Sequence, residues 1–143
     1  MREKLSAAAV ALLLGGAGSF SWGHTPPAGA RVYFIEPADG AVVTNPVRVR
    51  AGIEGFGITP AGTKGPRRHT AGHHHVLIDV DELPDLNSPI PRDAHHVHLD
   101  GGESEVLLQL PPGEHSLQLL LGDEDHEPQE PPLFSKKIRI TVL

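Results

Sequence analysis

From Arg31 onward, apolar and polar residues alternate in short runs divided by glycine, proline and aspartate. Val47, Val49, Ala51 and Ile53 interleave with Arg48, Arg50, Gly52 and Glu54. A period of two places successive side chains on opposite faces of a strand. Short runs at Arg31–Glu36, 73–80, 95–99, 105–110, 115–121 and 135–142 also read as strands, the last with Ile138, Ile140 and Val142 inward. No segment beyond residue 23 carries the 3.6-residue period of an amphipathic helix. The expected fold is all-β, an immunoglobulin-like antiparallel β-sandwich of about seven strands, with a small barrel as the alternative. Its expected core includes Val47, Val49, Ile78, Val106, Leu108, Ile138 and Ile140. Pro111, Pro112 and Gly113 suit a tight turn, so 105–110 and 115–121 are expected to pair as a hairpin.

Ahead of this pattern, Arg2 and Lys4 precede an apolar run over residues 5–18. That run is too short to span a bilayer, and with its basic flank it reads as a secretory signal peptide. The expected organisation is a signal peptide at 1–23 and one domain at 24–143, periplasmic or secreted, with no membrane span after signal removal. Cleavage is expected after Gly18 or Gly23. The second cut would leave His24 at the terminus, where α-amine and imidazole together form a chelate suited to copper(II).

Composition narrows the partners. Net charge is -6, aromatic residues make up 4%, and there is no cysteine. An acidic chain with few aromatics lacks both the basic surface and the stacking platforms that nucleic acid requires. No glycine-rich phosphate loop precedes a helix, and nothing resembling a nucleophile elbow surrounds Ser104 or Ser116.

Histidine is the outlier, with ten residues. Residues two apart on a strand lie on one face with Cα atoms about 6.6 Å apart, close enough for two imidazoles to meet at one ion. His73 and His75 form one such pair, His96 and His98 another, and loop residue His126 is placed to close the site. These five are the expected metal ligands. His74 falls on the opposite, core face, His115 reads as a satisfied or supporting histidine, and His69 and His95 as solvated. Neutral imidazoles suit zinc or copper(II). Without cysteine, and with Met1 as the sole methionine, a thiolate or thioether copper(I) site is excluded. The competing reading is a metal-free hydrogen-bonded network, with Asp79, Asp93 or Asp123 orienting the imidazoles.

The motif GHHH followed by an apolar strand and Asp79, then H-x-H at His96 and His98, PPG-x-H ending at His115, and LGD followed by His126 resembles a bacterial family. That family is the domain-of-unknown-function family numbered 4399, and the likeness covers about residues 31–143. The chain departs from its pattern at Gln129, where a further histidine is common. The family's activity is unassigned, so the resemblance implies a fold and a site but no reaction. The stretch at 37–50 is similar, more faintly, to the first strands of copper-resistance C-type periplasmic proteins, although their D-x-H-P signature is absent. The functional expectation is a metal-binding module acting as carrier, buffer or sensor, with an unknown protein partner. A metalloenzyme with an open coordination position and a metal-free envelope interaction domain stand as alternatives.

Overall fold

The computed structural model describes residues 24–143, so the expected signal peptide and its cleavage lie outside the described residues. Nine strands run in chain order: β1 Arg31–Glu36, β2 Val42–Val43, β3 Val47–Glu54, β4 Gly57–Ile58, β5 Ala71–Ile78, β6 His96–His98, β7 Glu105–Leu108, β8 Gly113–Gly122 and β9 Ile138–Val142. Among the described residues there is no α-helix, and one 3₁₀ turn spans Pro66–His69.

Two sheets form a β-sandwich. One has the order β1-β3-β7, the other β2-β9-β8-β5-β4, with β6 also pairing β5. Pairing is antiparallel except where the two-residue strands β2 and β4 lie parallel to β9 and β5. The alternating residues meet between the sheets: Val47, Val49, Leu108, Ile138 and Ile140 join Val76, Ile78, Leu117, Leu119 and Leu121 in one core, and Val106 packs partly buried at its edge. Each fully buried aliphatic side chain of this kind contributes roughly 1.5–3 kcal/mol.

The expected hairpin does not form. β7 pairs β3 in the first sheet, while β8 pairs β5 and β9 in the second. Proline offers no amide hydrogen to continue a ladder, so Pro111 and Pro112 mark a crossing between sheets. The Asn45 side chain satisfies the last residue before them, donating to the Leu110 carbonyl at 2.7 Å and accepting its amide at 3.0 Å.

β5 is buried along its whole length, on both faces. One face, carrying Val76 and Ile78, lines the inter-sheet core. The other carries Leu77, which packs with Leu120 and Ile90 beneath Val80, Leu83 and Leu86. The connection between β5 and β6 therefore covers the outer face of the sheet. Residues two and four positions before Leu77 on that face, His75 and His73, are fully buried with it.

Candidate metal centre

β5 supplies two histidines to the covered outer face, β6 supplies one, and the loop after β8 supplies the fourth. One ring nitrogen from each of His73, His75, His98 and His126 lies within 4.8 Å of one from every other. Nε2 of His73 is 3.0 Å from Nδ1 of His126, and Nδ1 of His98 is 3.2 Å from the same atom. The turn that delivers His126 is held by its own amide, which donates to the Asp123 carbonyl at 3.0 Å, and by its carbonyl, which accepts from Ile90 at 2.8 Å. His126 itself sits at φ 64°, in the left-handed region.

Backbone carbonyls fix which nitrogen of two rings carries a proton, since a carbonyl can only accept. Nδ1–H of His75 donates to the Leu120 carbonyl at 3.2 Å, and Nε2–H of His98 donates to the Pro91 carbonyl at 2.6 Å. That leaves lone pairs on Nε2 of His75 and Nδ1 of His98. The former is buried without a hydrogen-bond partner, and the latter faces His126. Such carbonyl-held imidazoles are how metal-ligating histidines are usually oriented.

Burial also keeps the rings neutral. Desolvation, with the neighbouring His126, pushes His73 down to about 4. The same burial, with His73 alongside, pushes His75 lower still, and burial lowers His98. An imidazole ligates when neutral, so these rings keep the binding form well below physiological pH.

Space at this point depends on Gly122. A Cβ there would stand 2.6 Å from Cε1 of His75 and 3.2 Å from its Nδ1. The ring of His75 occupies the volume that any larger residue at 122 would need.

His96 is not brought to the cluster. β6 runs antiparallel to β5, with His98 across from His75 and His96 across from Leu77, so His96 is carried away from His73 and His126. Its Nδ1 lies instead 2.7 Å from Oδ1 of Asp93. The alternation continues in the other direction, to Asp100. Oδ1 of Asp100 lies 3.8 Å from His73 Nε2, 3.6 Å from His98 Nδ1 and 3.8 Å from His126 Nδ1. This oxygen is buried without a hydrogen-bond partner, while Oδ2 accepts from Arg92 at 2.8 Å. Donors about 2.1 Å from one ion, at angles of 90–120°, stand roughly 3.0–3.6 Å apart, close to the spacing found here. The signal was present in H-x-H-x-D, where His98 and Asp100, not His96 and His98, are the useful pair.

The remaining histidines are placed apart from this centre. His74 is fully buried on the core face, with neither ring nitrogen hydrogen-bonded. His115 is satisfied on both sides, by Asp79 at 2.7 Å and the Pro111 carbonyl at 2.7 Å. His95 is exposed, with Nδ1 2.8 Å from the Ile78 carbonyl.

Fold and site together define a β-sandwich with a four-histidine centre able to hold a metal ion. The chain belongs to the family described as domain of unknown function (DUF4399), whose model matches residues 49–143. That span includes all four histidines and Asp100. Neither a curated protein nor a solved structure matches the chain.

Proposed function

We propose that this protein is an exported transition-metal-binding module, periplasmic or secreted, that holds copper(II) or zinc at His73, His75, His98 and His126. Asp100 supplies a carboxylate oxygen at the same point. The observation that carries the reading is the convergence of four ring nitrogens within 4.8 Å from three separate segments of chain. Lone pairs set by backbone carbonyls face inward at two of them. Four imidazoles with one carboxylate suit copper(II) and zinc. His73 and His75 are fully buried, and His126 is the most exposed of the four histidines at 27% side-chain exposure. Those features favour holding and transferring an ion, as a carrier, buffer or sensor does.

Thermal unfolding with and without metal tests this. An ion that binds the folded state at a hundred times its Kd adds about 2.7 kcal/mol, so copper(II) or zinc is expected to raise Tm visibly. Replacing His75 and His98 together by alanine is expected to remove the larger part of the rise. If the double variant keeps the wild-type rise, the ion binds elsewhere and the proposal is wrong.

A further inference from the structure

The turn that carries His126 also builds a second cluster. Oδ1 of Asp123 accepts the amides of Asp125 at 2.8 Å and Glu127 at 3.0 Å. The same turn that directs His126 toward the four-histidine centre directs Glu124 to His24. Nε2 of His24 lies 2.9 Å and 3.1 Å from the two carboxylate oxygens of Glu124. The His24 side chain is 8% exposed and that of Glu124 14%, and Asp123 is buried as well. One donor atom from each of His24, Asp123 and Glu124 lies within 4.8 Å of the other two. On the opposite side of the His24 ring, Nδ1 is 2.9 Å from Nδ1 of His69.

We propose that His24, Asp123 and Glu124 form a second cation site, separate from the four-histidine centre, which takes a divalent first-row metal ion such as zinc or manganese(II). The site has one imidazole and two carboxylates, a harder donor set than four imidazoles and one that accepts oxygen-seeking ions. Two carboxylates this close repel when both are ionised. Among the described residues the ionic partner of Glu124 is His24, and no lysine or arginine pairs with Asp123 or Glu124. A dication at Nε2 offsets that repulsion directly, replacing the single proton that Nε2 otherwise donates to Glu124.

His69 completes the arrangement as a positioning residue. A metal-bearing histidine usually donates its other ring N–H to an acceptor that fixes its orientation, and Nδ1 of His69 stands where Nδ1–H of His24 would point. Arg68 reaches the other nitrogen of His69 at 3.2 Å. That exposed contact yields when His69 changes tautomer.

The test is stoichiometry, read by native mass spectrometry and calorimetric titration of the purified protein with zinc. Wild type is expected to take two ions per chain. Glu124→Gln should take one, and the His75→Ala, His98→Ala double variant should take the other one. His69→Ala, a change at an exposed position, should weaken the second step about 10–100-fold without altering the first. Circular dichroism confirms that each variant is folded. If wild type takes one ion and Glu124→Gln still takes it, the second site is overturned while the four-histidine centre stands. If that single ion is lost in Glu124→Gln and kept in the double variant, the second site stands and the four-histidine centre falls. Absence of any bound ion overturns both.

Discussion

His98 stands directly across the antiparallel ladder from His75, and that pairing decides which histidines of β6 share a site with β5. His98→Ala is therefore expected to remove most of the metal-dependent rise in Tm, whereas His96→Ala should leave it near wild type. Differential scanning fluorimetry with zinc added to each purified variant reads both outcomes. Equal losses from the two variants would mean that the register does not select the ligand.

Asp100 offers a separate check. Its side chain is 43% exposed and its ion pair with Arg92 lies at the surface, so Asp100→Asn should change stability of the metal-free protein by less than about 1 kcal/mol. Loss of its carboxylate at the cluster should weaken metal binding roughly 10–100-fold. Isothermal titration measures the affinity, and the copper(II) electron paramagnetic resonance spectrum should shift as the donor set changes. An unchanged spectrum and affinity would place Asp100 outside the binding site.

These two residues show what was legible in the sequence. Alternation along β3, β5 and β9 was enough to place Val49, Ile78 and Ile140 in a sandwich core, because the period of two is a local property. His73 and His75 were readable for the same reason. The choice between His96 and His98 was not, because it depends on strand register, which is set by pairing across the sheet. Asp100 was not, because the spacing of two runs from His98 onward to Asp100 as well as back to His96, and spacing alone does not say which direction reaches the cluster. The false hairpin across Pro111 and Pro112 arose because a turn signal says where the chain bends, not which sheet it enters. The contact between His24 and Glu124 joins positions far apart in the chain, and no local pattern announces it.

Gly122→Ala tests the fit between β8 and the cluster. The added Cβ would press on the buried ring of His75, with Ile90 Cδ1 3.2 Å away on the same side. Overpacking of this kind typically destabilises by about 1–3 kcal/mol. Displacement of His75 should also reduce metal affinity, so urea unfolding and metal titration should change together. A variant with wild-type affinity would show that the ring can move without leaving the site.

The buried histidines make the metal-free protein acid-sensitive, and the sign follows from where protons bind. Burial lowers His73 and His74 to about 4, while an unfolded chain titrates its histidines near 6.5. Above about 6.5 neither state is protonated at these residues, and their full contribution to stability is present. Between about 6.5 and 4 the unfolded chain takes up protons that the folded rings refuse, so stability falls as pH falls. Each such residue removes about 1.4 kcal/mol per pH unit in that window, or roughly 2 kcal/mol at pH 5. Urea unfolding in the presence of chelator at pH 7, 6 and 5 should show this decline. His74→Leu isolates one share of it, since His74 is fully buried with neither ring nitrogen hydrogen-bonded. A leucine there removes an unsatisfied polar group that costs about 1–3 kcal/mol, so the variant should be more stable at pH 7. It should also lose about one histidine's worth of the decline toward pH 5. A His74→Leu protein that is less stable at pH 7 and keeps the full acid sensitivity would show that His74 is not held neutral in the core.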